Sequence, residues 1–203
     1  MTDTRLRYSA VTHNSLVNGP GVRNVLHLQG CTIGCKGCFN THTWSHEKGD
    51  VESVYKLAYE LMKDSPDGIT ISGGEPTEQW DGVKRLLGEC HKISRGLNVL
   101  MFTGLTEEQL IKSGILREAF EECHGSETMI STIVCGPYDR TQPSDEYLLG
   151  SSNQKILTWN GEELKKESPR VEVQVEKDGS ITVTGFPNGD VLKYIKKHFK
   201  QEK

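Results

Sequence analysis

Asn24-Val25-Leu26-His27-Leu28-Gln29-Gly30 runs without a break into Cys31-Thr32-Ile33-Gly34-Cys35-Lys36-Gly37-Cys38. The first half, apolar at Val25, Leu26 and Leu28, reads as a short strand, and the glycine-punctuated second half reads as the loop at its carboxyl end. Three thiols separated by three and then two residues can converge on one iron–sulfur cluster while leaving one iron without a protein ligand. Electron-carrying clusters are ordinarily held by four cysteines, and zinc sites pair a Cys-x-x-Cys with a second, distant pair of ligands. No fourth ligand stands close by here, so the open iron is where a substrate or cofactor would bind.

Working outward, Val51, Val54, Leu57, Ala58 and Leu61 recur at helical spacing, and residues 69–72 form a β run ending in Gly73-Gly74. The alternation repeats: Trp80, Val83, Leu87 and Cys90 on a helix, a strand over 97–102, Leu116, Ala119, Phe120 and Cys123 on a helix, and a strand over 129–134. Strands alternating with helices imply a parallel sheet with right-handed crossovers, and about four such units are too few to close an eight-stranded barrel. The expected fold is α/β, an open partial βα barrel over residues 1–157. Beyond it, residues 158–203 form a C-terminal extension: Val171, Val173 and Val175 alternate with polar residues, Lys177-Asp178-Gly179 turns, and Ile181 and Val183 return as a hairpin. Asp190 then caps a final helix bearing Leu192, Ile195 and Phe199. This extension is either a cover for a sheet edge or a docking element for a partner.

A net charge of -4 gives no basic field for nucleic acid or an anionic membrane, so a protein or small-molecule target is the more natural one. No apolar stretch approaches the roughly 20 residues of a membrane span. Residues 1–8 lack a hydrophobic signal core, so a cytoplasmic location is expected. Six cysteines in such a chain argue for metal or redox chemistry before disulfides. Cys90 and Cys123 read as buried core thiols, whereas Cys135 ends a strand and is a candidate neighbour of the site. The seven histidines show no metal-ligand spacing, which leaves them surface or satisfied-core roles.

The cysteine spacing, followed by Ser72-Gly73-Gly74-Glu75-Pro76, resembles the radical S-adenosylmethionine (SAM) superfamily. Asn18-Gly19-Pro20-Gly21-Val22-Arg23 and Phe39-Asn40-Thr41-His42-Thr43-Trp44 resemble the flanks seen in glycyl-radical-enzyme activases. Phe102-Thr103-Gly104 and Gly150-Ser151-Ser152-Asn153-Gln154-Lys155-Ile156 are similar to the activating proteins of anaerobic (class III) ribonucleotide reductase. The resemblance covers residues 13–157 and implies the partial barrel, with a 4Fe-4S cluster on Cys31, Cys35 and Cys38 whose open iron binds SAM. It further implies reductive cleavage of SAM to methionine and a 5′-deoxyadenosyl radical. The implied partners are the glycyl radical protein, the large subunit of anaerobic ribonucleotide reductase, and an external reductant such as flavodoxin or ferredoxin.

Within that frame, Ser72, Gly73 and Gly74 let backbone approach the methionine end of SAM, and Glu75 offers an anionic acceptor for its ammonium. Thr103 and Gly104 stand either near the methionyl or ribose groups or in a plain strand-terminating turn. Phe39 and Asn40 match positions whose backbone meets adenine, although Phe39 is equally a core anchor. Gly19, Pro20 and Gly21 shape either a donor-rich turn, with Arg23 reaching a carboxylate, or an ordinary surface turn. The segment from Gly150 to Gln154 is a structural or substrate-facing closure. Two other functions share some of these features: a small radical SAM enzyme acting on a metabolite or peptide, in the manner of 7-carboxy-7-deazaguanine synthase, and an iron–sulfur electron carrier or binding module. The latter has no use for a SAM-shaped Ser72-Gly73-Gly74-Glu75 turn.

Overall fold

The computed structural model describes residues 4–123, 127–161, 164, 171–175, 181–186, 193, 194 and 197. In chain order its elements are β1 (Arg5–Ser15), β2 (Arg23–Leu28), β3 (Asp50–Ser53), α1 (Val54–Leu61), β4 (Gly68–Gly73), α2 (Trp80–Ile93), β5 (Asn98–Thr103), α3 (Glu107–Lys112) and α4 (Ile115–Ala119). They continue as β6 (Glu122–Cys123), β7 (Glu127–Thr128), β8 (Thr132–Cys135), β9 (Lys155–Thr158), β10 (Val171–Val175) and β11 (Ile181–Gly185).

Seven strands make the main sheet, in the order β3-β1-β2-β4-β5-β8-β9. The central β2, β4, β5 and β8 pair parallel, as the βα alternation predicts, while β1, β3 and β9 add antiparallel flanks. Because side chains alternate across a strand, register sorts them into two faces. Leu26, Ile71, Met101 and Ile133 align across the sheet and are fully buried beneath the helices, each worth about 1.5–3 kcal/mol of burial. On the opposite, inner face lie Arg23, Val25 and His27 of β2, Thr70 and Ser72 of β4, and Leu100 and Phe102 of β5. Leu100 and Val134 bury there with Leu148 and Leu149, and Phe102, Ile156 and Phe186 pack against them.

Helix α1 buries Val54, Leu57, Ala58 and Leu61 and is capped by Ser53, whose hydroxyl accepts from Lys56 N. Val51 is not part of it; it sits in β3 opposite Arg7 of β1 and is largely exposed. Cys90 is buried on α2 as expected. Cys123, by contrast, is not on a helix: α4 closes at Ala119, and the carbonyls of Ala119 and Glu121 accept from Ile130 and Met129 of the returning chain instead of from a next helical turn. The hairpin of β10 and β11 forms with Val175 opposite Ile181, but as a separate two-stranded sheet, so it is no edge strand of the main one. Its turn at Lys177-Asp178-Gly179 and most of the helix expected after Asp190 lie outside the described residues. The expected boundary at residue 157 falls inside β9. Among the described residues no helix is long and apolar enough to cross a membrane.

Candidate active site

The site is built where β2 and β4 end side by side. Gly74 N donates to Leu28 O at 2.8 Å and Glu75 N to Gly30 O at 2.8 Å, carrying the pairing past the sheet into the start of the cysteine loop. A Cβ on Gly74 would lie 2.1 Å from Gly30 O, and Gly73 holds a φ of +98°, so neither position tolerates a side chain. The double glycine therefore has a structural duty of its own: it welds the loop to β4.

The loop is further fastened on its far side. Gly30 N and Cys31 N donate to Thr43 O and Trp44 O, and the Gln29 amide donates to His42 O and Ser45 O. Glu78, which the sequence alone did not single out, accepts from both the backbone N and the hydroxyl of Thr32 at 2.7 Å and pairs with His46 Nε2 at 2.7 Å. One carboxylate thus ties the cysteine loop to the segment behind it.

Cys31, Cys35 and Cys38 are all free and partly buried on this loop. Burial pushes the Cys31 and Cys35 thiols above their ordinary range, and the charge of Glu75 adds to that effect. A bound cation or cluster is what would hold them as thiolates. Among the described residues no three His, Cys, Asp or Glu side chains converge on a point that could hold a single metal ion. Three soft thiols on one loop suit the iron of an iron–sulfur cluster.

Glu75 is only 2% exposed. Its Oε1 accepts from Thr77 N at 3.0 Å, Thr77 Oγ1 at 2.7 Å and Thr103 Oγ1 at 2.7 Å, and its Oε2 accepts from Gly104 N at 2.8 Å. The carboxylate expected to receive an ammonium accepts from four neutral donors within the chain, and through them it clamps the end of β4 to the end of β5. Gly104 is small for another reason: a Cβ there would lie 2.5 Å from Ile33 Cδ1 of the cysteine loop.

Phe39, Asn40 and Ser72 meet around a cavity of about 140 Å³ on the inner face, floored by His27 and Phe102. Gly73, Gly74, Glu75, Thr103 and Gly104 do not line it; they build the frame beneath. His27 was given no site role by spacing, yet its register opposite Ser72 places it here. Burial, reinforced by nearby His42, lowers its pKa to about 4, so the ring is neutral at physiological pH, and its Nε2 meets Thr12 Oγ1 at 3.2 Å. The hairpin residues Val183, Thr184, Gly185 and Phe186 close the remaining side.

Among the described residues Arg23 pairs with no carboxylate. It is fully buried, its pKa lowered to about 10 by that burial, and its guanidinium donates to Pro20 O, Ile69 O, Asn98 O, Asn98 Oδ1 and Thr70 Oγ1. It plugs the bottom of the inner face and shapes the Gly19–Gly21 turn from within. Cys135 is buried at the end of β8 on the helix face, beside a separate cavity lined by Glu107 and Lys155 rather than the one at Ser72. In the Gly150 segment, the Gln154 Oε1 accepts from Gly150 N and Ser151 N, its amide donates to Gly136 O, and Asn153 donates to Pro137 O. Those bonds make it a structural closure of the long loop after β8.

A mixed sheet with a parallel βα centre, carrying three cysteines on one loop at its strand ends beside an inner-face cavity, suits a cluster-dependent enzyme. A family model described as a 4Fe-4S single cluster domain matches residues 17–157, and the chain belongs to this family, among the radical SAM activases. The anaerobic ribonucleoside-triphosphate reductase-activating protein of Enterobacteria phage T4 is 26% identical over 156 residues, covering 74% of this chain and 93% of the phage protein. Its counterpart from Pasteurella multocida is 27% identical over 168 residues, 76% of this chain and 98% of that protein. The pyruvate formate-lyase-activating enzyme of Listeria monocytogenes is 36% identical over a shorter stretch of 87 residues, 40% of this chain and 35% of that enzyme. The cofactors of this family are a 4Fe-4S cluster and SAM.

Proposed function

We propose that this protein is the activase of an anaerobic ribonucleoside-triphosphate reductase and installs a glycyl radical on it. The observation that carries this reading is the extent of the matches: the chain spans nearly the whole of two reductase-activating proteins but about a third of the pyruvate formate-lyase activator. When bound and reduced, the cluster and SAM supply a one-electron cleavage of the SAM carbon–sulfur bond and, from it, a carbon radical able to take hydrogen from a glycine Cα.

The residues of the chain have three tasks in this reading. Cys31, Cys35 and Cys38 hold the cluster. Phe39, Asn40 and Ser72 receive the nucleoside end of SAM in the inner-face cavity, while the glycine turn at Gly73 and Gly74 brings backbone close to its methionine end. Glu75, Thr103 and Gly104 position that turn, and the aromatic rings of Phe39 and Phe102 in the cavity wall help keep water from the reacting atoms. The sheet acts as an open partial barrel, core 1–157 and extension 158–203, whose mouth admits a protein segment. An external one-electron carrier such as flavodoxin or ferredoxin reduces the cluster.

Anaerobic reconstitution followed by iron and sulfide analysis, EPR and assay of 5′-deoxyadenosine tests the reading. One four-iron cluster per chain and SAM cleavage are expected, both lost in C31A, C35A and C38A. Tightly held zinc, or a cluster that survives these substitutions, would overturn it.

A further inference from the structure

The C-terminal hairpin lies beyond the region matched by the family model, yet it reaches into the site. Thr184 is buried, and its hydroxyl accepts from Asn18 Nδ2 at 2.7 Å. Asn18 is itself held in place: its amide also donates to Ser15 Oγ at 2.9 Å, and its carbonyl accepts from Thr70 Oγ1 at 2.7 Å. On the other side of Gly185, the ring of Phe186 stands 5.8 Å from that of Phe102, tilted by 56°. Between these two anchors Gly185 takes a φ of +94° and lines the cavity shared by Phe39, Asn40 and Ser72.

We propose that Thr184, Gly185 and Phe186 occupy the subsite that receives the glycine segment of the target protein, so that the hairpin is a built-in competitor which the target displaces. This rests on the activase reading above. The chain presents a strand glycine, with no side chain in the way, to the cavity walls that would hold SAM, which is the placement a target glycine must reach for hydrogen transfer. The neighbours on either side are seated by a side-chain hydrogen bond and by an aromatic contact, the two means by which an extended segment is read.

The seat is also suited to release. A two-stranded hairpin is marginal by itself, so it stays ordered only while the core holds it. Besides the Thr184 bond, β10 is tied to β1 by Gln174 Nε2 donating to His13 O at 3.3 Å. The buried atoms His13 Nδ1 and Glu172 Oε2 have no hydrogen-bond partner among the described residues, and release would let water reach them. Val183, Thr184, Gly185 and Phe186 wall one side of the cavity of about 140 Å³, so their release would open that side to an incoming segment.

The test uses the full-length protein and a fluorescent peptide copying residues 181–186, with binding read by anisotropy. T184V keeps the shape of the side chain and removes the hydroxyl that holds the hairpin, while the peptide keeps its own. It should bind the peptide about five- to tenfold more tightly than wild type, the equivalent of one hydrogen bond. Once N18A has removed the donor, adding T184V should bring no further gain in peptide affinity. In wild type, saturating peptide should speed hydrogen exchange at the amides of β11. Equal peptide affinity in wild type and T184V, or unchanged exchange at β11, would overturn the proposal. So would tighter SAM binding by T184V without a gain for the peptide, because the hairpin would then gate SAM. Formation of 5′-deoxyadenosine by wild type without any target reports separately on the activase reading: its absence sinks that reading, and its presence with no peptide gain sinks the hairpin proposal alone.

Discussion

Replacing Glu75 by Gln separates two roles that the same carboxylate could play. Within the chain it accepts from four donors: Thr77 N and Thr77 Oγ1, Thr103 Oγ1 and Gly104 N. A Gln side chain keeps one oxygen. If that oxygen faces Thr77 and Thr103, the new amide NH2 is turned toward Gly104 N–H, donor against donor. One charge-assisted bond of about 1.5–3 kcal/mol is lost and a buried N–H is stranded at about 1–3 kcal/mol. Relief from burying an anion without a counter-ion returns part of this. The net expectation is a loss of about 3 kcal/mol, a large fraction of the 5–15 kcal/mol that holds a typical domain together. For a chain of this size that corresponds to roughly 6–12 °C in Tm. Urea and thermal unfolding of the cluster-free protein under anaerobic reducing conditions measure it directly. An E75Q protein as stable as wild type, with SAM affinity lowered tenfold or more, would refute the clamp and return Glu75 to the ammonium.

G104A should cost about 1–3 kcal/mol and lower cluster loading, because its Cβ drives Ile33 and the cysteine loop aside; I33A in the same chain should restore most of both, and purely additive losses would disprove the contact. His27 supplies a pH dependence. Its folded pKa of about 4 lies below its ordinary 6.5, so the folded state binds fewer protons between those values, and the stability it contributes is whole above pH 6.5 and lost as pH falls toward 4. The loss is at most about 3 kcal/mol, and nearer 2 because the ring also faces the cavity. Unfolding free energies of wild type and H27Q should therefore converge by that amount between pH 7 and 4, and parallel curves would show that His27 is not held neutral.

Much of this was legible in the residues. The runs at Val25–Leu28 and Ile69–Ser72 are short, apolar and glycine-bounded, and they became adjacent parallel strands with the cysteine loop at their ends. Strand β1 was not legible, because its burial follows no clean period: Leu6, Thr12 and Ser15 are buried and the pairing with β2 shifts register twice. Helical spacing misplaced Val51 and Cys123 for the opposite reason, since apolar residues three or four apart also arise where a strand abuts a short helix. Glu75 has intrachain partners that no motif displays. The turn was legible, but only long-range geometry reveals that Thr103 and Gly104 donate to its carboxylate. Glu78 and His27 carry no motif at all, and only their partners, Thr32 and Ser72 respectively, mark them.

Delivery of a radical from this chain to a protein glycine is tested most directly by EPR of the activated target. Reconstituted protein, a one-electron reductant, SAM and the anaerobic ribonucleoside-triphosphate reductase of the same source should together give an organic radical doublet on the reductase. That doublet should collapse to a narrower signal when the reductase is made with α-deuterated glycine, and it should be missing with C38A. SAM cleavage with no doublet on any reductase of that source, alongside efficient turnover of a small molecule, would contradict the account.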